Sequence, residues 1–284
     1  MATSVQVSPS AARPISSEAG ANVAGPAPRD FSDPLDGHAD LVTVTGGYDA
    51  GRLLFQWGNG QGGFRTDSVF VWGDITKVVP LGDMTGDGCN DMVLVNAGNL
   101  YRGDGECDHG LNWRLDDVTK LAAGWGQFNV LTSPGDLTSD GRPDVVARQA
   151  TTGDLYLYDA GTSTLQFRGK IGAKWTAYRS VFGGGDLNGD GIGDMLAVDK
   201  ANSLWRYEGT VTGSLKPRQL VFAKNWANGR DAFVGTGDIT GDGKADLITR
   251  NTAGALLRNN GDGRGSFRST VKIGIGWNKY RSIH

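Results

Sequence analysis

The chain has 284 residues, a net charge of −3 and 45 glycines. Each glycine inside a helix costs about 1 kcal/mol, so this composition argues against a helical protein and favours short strands joined by tight turns. The absence of a basic block argues against a nucleic-acid partner. No apolar run approaches the ~18 residues of a membrane span, so we expect no membrane insertion.

The first segment, residues 1–29, is rich in Ala, Ser and Pro and has no sustained apolar stretch. Such a segment buries too little apolar surface to offset the entropy lost on ordering. We therefore predict a flexible leader over residues 1–29 and a folded domain over residues 30–284.

One phrase, Asp-x-Thr/Asn-x-Asp-Gly-x-x-Asp, recurs four times, beginning at Asp83, Asp136, Asp186 and Asp238. A fifth, eroded copy retains only its last two aspartates, Asp36 and Asp40. An apolar run of β type follows each copy, and a second run follows after a short turn. A unit of about fifty residues with about four short strands has the size of one propeller blade, which needs stacked neighbours to bury its faces.

The two ends of the chain carry complementary parts of one repeat. Residues 279–283 repeat the phrase at residues 177–181, which leads into the loop at Asp186, so the chain stops where a loop should follow. The eroded loop near Asp36 supplies that continuation. We therefore predict an all-β, five-bladed β-propeller of four-stranded antiparallel blades, with N- and C-terminal strands sharing one blade. A linear solenoid is the alternative, but it does not predict this phasing.

Each intact loop places oxygen-bearing side chains at positions 1, 3, 5 and 9, a backbone carbonyl at position 7, and a glycine at position 6 for the sharp turn. Ca²⁺ takes six to eight hard oxygen ligands, and such a loop can supply them. We predict about four Ca²⁺ sites of structural role, and weak or no binding at the eroded copy, where Ser32 and Pro34 replace ligands. The predicted ligands of the four intact loops are Asp83, Thr85, Asp87, Cys89 and Asp91; Asp136, Thr138, Asp140, Arg142 and Asp144; Asp186, Asn188, Asp190, Ile192 and Asp194; and Asp238, Thr240, Asp242, Lys244 and Asp246.

The alternative for these aspartates is that they only cap turns by accepting backbone hydrogen bonds. That alternative does not explain why three carboxylates, which repel each other without a cation, should cluster in each loop.

The two cysteines, Cys89 and Cys107, flank a turn signal at residues 97–98. Folding the strands back at this turn brings both cysteines close to opposite each other, within disulfide reach. We predict a Cys89–Cys107 disulfide and an oxidising compartment; two unrelated buried thiols are the alternative.

A tryptophan precedes each loop, and an aromatic residue often follows it closely. A flat aromatic face can stack on a sugar, so these side chains are candidate ligand contacts. The alternative is that they pack between neighbouring sheets. The candidates are Trp72, Trp125, Trp175, Tyr178, Trp226, Trp277 and Tyr280.

The phrase Gly-Asp-x-x-x-Asp-Gly-x-x-Asp-[Leu/Met/Val] resembles the FG-GAP/VCBS repeat family over about residues 30–284. That family includes integrin-α-type propellers, propeller lectins and actinobacterial secreted propellers. The resemblance implies calcium-binding loops, an extracellular location and a binding role, without specifying a ligand.

We find no catalytic motif in the sequence. The three histidines lack zinc-site spacing, and neither a nucleophile elbow nor a P-loop is present. We therefore expect a non-enzymatic, monomeric, secreted protein that binds carbohydrate. The alternative is a protein-interaction module, such as a toxin-particle subunit or a protease modulator, that binds a secreted protein partner.

Overall fold

Five antiparallel sheets of four strands each make up the fold. The computed structural model describes residues 29, 31, 37–46, 51–70, 75–105, 118–161 and 164–284, and of residues 67–70 it describes the backbone only. The strand order in each sheet follows the chain, except that the last strand of the chain joins the first three.

We name the sheets blades 1 to 5. Blade 1 contains β20 (Tyr280–Ile283), β1 (Leu41–Thr45), β2 (Leu53–Gly58) and β3 (Phe64–Phe70). Blade 2 contains β4 (Ile75–Pro80), β5 (Met92–Asn96), β6 (Asn99–Gly103) and β7 (Val118–Ala122). Blade 3 contains β8 (Phe128–Gly135), β9 (Asp144–Gln149), β10 (Leu155–Ala160) and β11 (Leu165–Gly172). Blade 4 contains β12 (Tyr178–Gly185), β13 (Asp194–Asp199), β14 (Leu204–Tyr207) and β15 (Gln219–Phe222). Blade 5 contains β16 (Arg230–Gly237), β17 (Asp246–Asn251), β18 (Leu256–Gly261) and β19 (Phe267–Gly274).

The blades form a ring around their first strands. Strand β8 contacts both β4 and β12, β12 contacts β16, and β16 contacts β20. The Arg281 guanidinium on β20 donates a hydrogen bond to the Ile75 carbonyl on β4, which joins blade 1 to blade 2. The prediction of a five-bladed, all-β propeller is therefore confirmed.

Blade 1 is built from both ends of the described chain. Strand β20 pairs antiparallel with β1, with Thr43 opposite Ile283. Val42 and His284 exchange two backbone hydrogen bonds, of 2.8 and 2.7 Å. This pairing confirms the predicted shared blade, and it fits a ring better than an open solenoid.

The hydrophobic core lies between neighbouring blades. The second strands are buried along nearly their whole length, because each carries the apolar run that follows an aspartate loop. One core cluster joins Val93 and Val95 of blade 2 to Val145 and Ala147 of blade 3. A single blade cannot cover such a strand, so each blade depends on its neighbours.

Among the described residues, helical structure is limited to three single 3-10 turns, at Trp125–Gln127, Trp175–Ala177 and Trp277–Lys279. In the part of the chain that the structure describes, no helix has the length and hydropathy needed to cross a membrane.

Candidate functional site

The four intact aspartate loops connect the first and second strands of blades 2 to 5. The glycine at position 6 has a left-handed backbone in every copy, with φ of 89° at Gly88 and 79° at Gly243. A non-glycine residue adopts this conformation only at a cost, so the glycine permits the sharp turn that gathers the loop side chains.

The first aspartate of each loop accepts hydrogen bonds from the loop's own backbone. In blade 4, Asp186 Oδ1 accepts from Gly189 N at 2.7 Å, and Asp186 Oδ2 accepts from Gly191 N at 2.8 Å. Asp83, Asp136 and Asp238 accept amides of their loops in the same way. This carboxylate holds the loop in a closed turn.

The aspartate at position 5 accepts the amide two residues on. The donors are therefore the position-7 residues, whose carbonyls the sequence predicted as ligands. These bonds join Cys89 to Asp87, Arg142 to Asp140, Ile192 to Asp190 and Lys244 to Asp242, at 2.9 to 3.1 Å.

The last aspartate is fully buried and links two parts of its blade. In blade 4, Asp194 Oδ2 accepts from Leu187 N in the loop at 3.2 Å, and Asp194 Oδ1 accepts from Gly209 N beyond β14 at 3.0 Å. The corresponding side chains are also fully buried in the other blades, at Asp40, Asp91, Asp144 and Asp246. Asp40 of the eroded copy makes equivalent bonds, to Phe31 N and Gly58 N, both 2.7 Å.

A glycine donates to this aspartate from the end of the third strand in four blades. These glycines are Gly58, Gly105, Gly209 and Gly261. A Cβ atom at Gly261 would lie 2.2 Å from the Ala245 carbonyl oxygen, so only glycine lets the backbone approach closely enough to donate. Sequence reasoning missed this recurrent glycine, although its repetition was visible.

Burial raises the pKa of each last aspartate in the intact loops. The pKa rises to about 7 for Asp144 and Asp194, and to about 6 for Asp91 and Asp246. Backbone hydrogen bonds oppose this rise, whereas a second aspartate of the same loop adds to it by repulsion, as Asp190 does for Asp194. Each loop therefore concentrates negative charge that its own backbone offsets only in part.

The loop of blade 2 also contains a buried side-chain oxygen that makes no hydrogen bond. Thr85 Oγ1, at the predicted ligand position 3, is buried and has no hydrogen-bond partner. Leaving a buried hydroxyl unpaired costs about 1–3 kcal/mol, which coordination of a cation would recover. The donor set of carboxylate, hydroxyl and carbonyl oxygens fits Ca²⁺. With the carboxylates turned toward loop amides, no three His, Cys, Asp or Glu side chains among the described residues are grouped as a metal site.

Several predicted site residues lie outside the described residues. They are Trp72, Cys107 and the eroded loop positions Ser32, Pro34 and Asp36. Cys89 is described and buried, on the loop of blade 2. The Cys89–Cys107 disulfide therefore stays a prediction.

The stability of the calcium-free protein is expected to decrease as the pH rises from 5 to 8. The four buried aspartates have folded-state pKa values above the ordinary 3.8, so the folded state binds more protons than the unfolded state between these values. Their contribution is present at low pH and is lost as the pH rises through about 6 to 7. His284, whose pKa burial lowers to about 4, acts in the opposite sense, but as one group against four.

Thermal unfolding in the presence of a chelator at pH 5 and pH 8 measures this effect, and Asp194→Asn, which removes one titrating group, should reduce the slope. A melting temperature that rises between pH 5 and pH 8 would contradict the prediction.

The repeated tryptophans lie at the junctions between blades. Trp125 and Trp175 are only 7% and 6% exposed. Each contacts a tyrosine on the third strand of the blade that it precedes, Tyr158 of blade 3 for Trp125 and Tyr207 of blade 4 for Trp175. Trp226 and Trp277 are half-buried. Trp226 lies between the Phe222 ring, 4.6 Å away, and the Arg230 guanidinium, 4.1 Å away.

Tyr178 and Tyr280, the aromatic partners on β12 and β20, are buried beneath Trp175 and Trp277. The structure thus places most of these rings in packing positions. The indole N–H groups of Trp125, Trp175 and Trp277 nevertheless donate to no residue in the described ranges.

Two arginines that sequence reasoning missed fasten one blade to the next. Arg148 Nη1 on β9 donates to the carbonyls of Trp175 and Tyr178, at 3.1 and 2.9 Å. Arg250 Nη1 on β17 donates to those of Trp277 and Tyr280, at 3.0 and 2.6 Å. The signal was present in the sequence, since both arginines end the apolar run after an aspartate loop.

Comparison with known proteins supports these repeats. The FG-GAP-like repeat profile matches residues 136–197 and 186–249, and the FG-GAP repeat profile matches residues 232–267. No curated protein sequence matches the chain.

Three solved structures are similar to this chain at low sequence identity. One, described in work on the de novo evolutionary emergence of a symmetrical protein, is 14% identical with a TM-score of 0.56, over 87% of this chain and 98% of that chain. An Agrocybe aegerita lectin that recognises non-reducing terminal N-acetylglucosamine is 21% identical with a TM-score of 0.47, over 86% of this chain and 65% of the lectin. The dihydro-heme d1 dehydrogenase NirN is 13% identical with a TM-score of 0.38, over 87% and 56% of the two chains.

The profile matches fall on the aspartate loops of blades 3 to 5 and on the strands that these loops join. The same loop geometry recurs in blade 2, and the last aspartate recurs in blade 1. By its ring of five blades and by the repeats in blades 3 to 5, this chain is a five-bladed β-propeller that carries FG-GAP repeats.

Proposed function

We propose that this chain is a secreted, non-catalytic binding module, stabilised by Ca²⁺ in its four intact loops, that recognises carbohydrate. The observation that carries the calcium proposal is the buried, unpartnered Thr85 Oγ1 within a loop of three carboxylates. Repulsion between aspartates of one loop, as between Asp87 and Asp91, supports a cation there as well.

In each loop the side chains at positions 1, 3, 5 and 9 and the carbonyl at position 7 would hold the ion. When bound, Ca²⁺ supplies charge neutralisation and fixes the loop's shape. The protein's own contribution is the prior closure of the loop, since the first aspartate already accepts several backbone amides.

Carbohydrate recognition is proposed at the outer ends of the blade junctions. The support is the half-buried Trp277, whose indole N–H has no partner among the described residues and whose ring is flanked edge-on by Phe64 and Tyr280. An aromatic face with a free N–H at its edge suits a sugar, which offers an apolar face and a rim of hydroxyls. The deeper burial of Trp125 and Trp175 makes the junction at Trp277 the first choice.

The test is binding to a broad glycan array, compared between the wild type and Trp277→Phe. This substitution keeps an apolar ring for packing but removes the indole N–H, so bound signal should fall at least severalfold while the melting temperature changes little. Phe167→Ala is the matched control, because it removes an aromatic ring that is 61% exposed on the outer strand of blade 3. A wild type that binds no glycan, or equal losses in both variants, would contradict the proposal.

A protein partner is the second candidate, and one observation favours it. Large apolar side chains are exposed on the outer strands of three blades: Phe167 at 61%, Leu220 at 54% and Val271 at 45%. A partner that covered these strands would be lost in a pull-down from secreted material with Phe167→Ala and retained with Trp277→Phe, which is the opposite of the glycan pattern.

A further inference from the structure

The centre of the ring contains a cavity of about 430 Å³. The first strands of all five blades line it, from β4 through β8, β12 and β16 to β20. Its volume lies within the range of about 300–1,000 Å³ that small-molecule sites occupy.

The lining of this cavity is strongly cationic, although the chain as a whole carries a net charge of −3. Asp231 is the one carboxylate side chain among the described lining residues, and it already pairs with Arg250, with Arg250 Nε 2.9 Å from Asp231 Oδ1. The cationic lining residues are Arg29, Lys77, Arg148, Arg179, Arg250 and Arg281.

Three of these arginines are held in place by neutral partners. Arg148 donates to the carbonyls of the Trp175 turn, Arg179 Nη2 donates to the Ala227 carbonyl at 2.9 Å, and Arg281 donates to the Ile75 carbonyl. These bonds fix the guanidinium groups in position through uncharged acceptors, and the charge of Asp199 offsets that of Arg179 only in part. The arrangement is therefore preorganised for an anion rather than neutralised by the protein.

Two further cations have no side-chain partner at all among the described residues. The Arg29 guanidinium and the Lys77 ammonium make no hydrogen bond or ion pair there, and burial alone lowers the pKa of both groups, to about 10 for Arg29. His284 also faces the cavity, and burial together with the charges of Arg29 and Arg281 lowers its pKa to about 4. The imidazole is thus neutral at pH 7 and leaves the cationic groups to set the local field.

We propose that this central cavity binds a small oxyanion with two negative charges, either a phosphate or sulfate group or a dicarboxylate. Arginine forks match the paired oxygens of both classes, and a lysine ammonium adds a point charge. Arg29 and Lys77 would form the direct ion pairs, because their side chains are not engaged elsewhere in the described structure. The remaining arginines supply a fixed positive field.

Calorimetric titration with sulfate and with succinate, at constant ionic strength and in 1 mM calcium, tests the proposal. We expect saturable one-to-one binding of at least one of the two anions. The double variant Arg29→Gln/Lys77→Gln should bind about tenfold more weakly or worse, since hydrogen bonds between oppositely charged groups are stronger than those between neutral groups. Lys272→Gln, which removes an exposed charge from the outer strand of blade 5, is the matched control and should bind as the wild type does.

The two anions distinguish the ligand classes, since binding of sulfate alone indicates a tetrahedral oxyanion and binding of succinate alone a dicarboxylate. A second measurement concerns the anion-free protein. Lys77→Gln removes a partly buried, unpaired charge, so its melting temperature in chloride buffer should equal or exceed that of the wild type. Absence of saturable binding of both anions, equal weakening by Lys272→Gln, or a lowered melting temperature of Lys77→Gln would overturn the proposal.

Discussion

Replacing Asp194 by alanine is expected to destabilise the protein by about 3–5 kcal/mol, a large part of the ~5–15 kcal/mol that stabilises a typical domain. The substitution leaves the amides of Leu187 and Gly209 buried without an acceptor, and each orphan donor costs about 1–3 kcal/mol. It also opens a small void at a fully buried position. Urea unfolding monitored by tryptophan fluorescence gives the free energy directly.

Asp154→Ala is the matched control for this prediction. It removes the same side chain and charge, but from a surface ion pair in which Lys170 Nζ lies 2.8 Å from the carboxylate. Such pairs contribute only about 0–1 kcal/mol, so the two variants should differ severalfold in effect. Equal losses of stability in the two variants would show that the buried carboxylate does not link the loop to the third strand.

Adding 10 mM calcium to chelator-treated protein is expected to raise the free energy of unfolding by several kcal/mol. Extracellular calcium modules bind with dissociation constants of about 0.1–1 mM. At that concentration, each site that binds only the folded state contributes about 1.4–2.7 kcal/mol, and four sites add their contributions. A scan of melting temperature against calcium concentration measures the effect, with magnesium at equal concentration as the ion control.

A single-loop variant assigns this effect to the loops. Asp186→Asn should remove about a quarter of the calcium-dependent stabilisation, whereas the same exchange at Asp154, outside the loops, should leave it unchanged. A melting temperature that does not respond to calcium, or a response that Asp186→Asn leaves intact, would contradict the calcium proposal.

The fold was predictable because each blade repeats the same local signals. The apolar run from Met92 to Val95 and its equivalents in the other blades predict buried strands. The copy of residues 177–181 at residues 279–283 predicts that β20 completes blade 1. These signals depend on short segments and on their spacing, and a single sequence displays both.

The roles of individual side chains were less accessible. Asp194 was interpreted as a metal ligand like Asp186. Its complete burial and its hydrogen bond with Gly209 depend on where the third strand of the blade ends relative to the loop, and no local sequence pattern predicts that position. The persistence of Asp40 in a copy that has lost its ligands at positions 1 and 3 was the available hint that this position has a role of its own. The cationic cavity was equally hidden, because Arg29, Lys77 and Arg179 become neighbours only when the ring closes.

The pairing of β20 with β1 makes folding a late and cooperative event during synthesis. Blades 2 to 5 can form in order as the chain leaves the ribosome, but β1 has no inner neighbour until residues 280–283 emerge, more than 230 positions after β1. Bringing such distant segments together carries the largest loop-closure entropy in the molecule. Until then the apolar surfaces of blades 1 and 5 remain uncovered, which makes the nascent chain a candidate for chaperone capture in this interval.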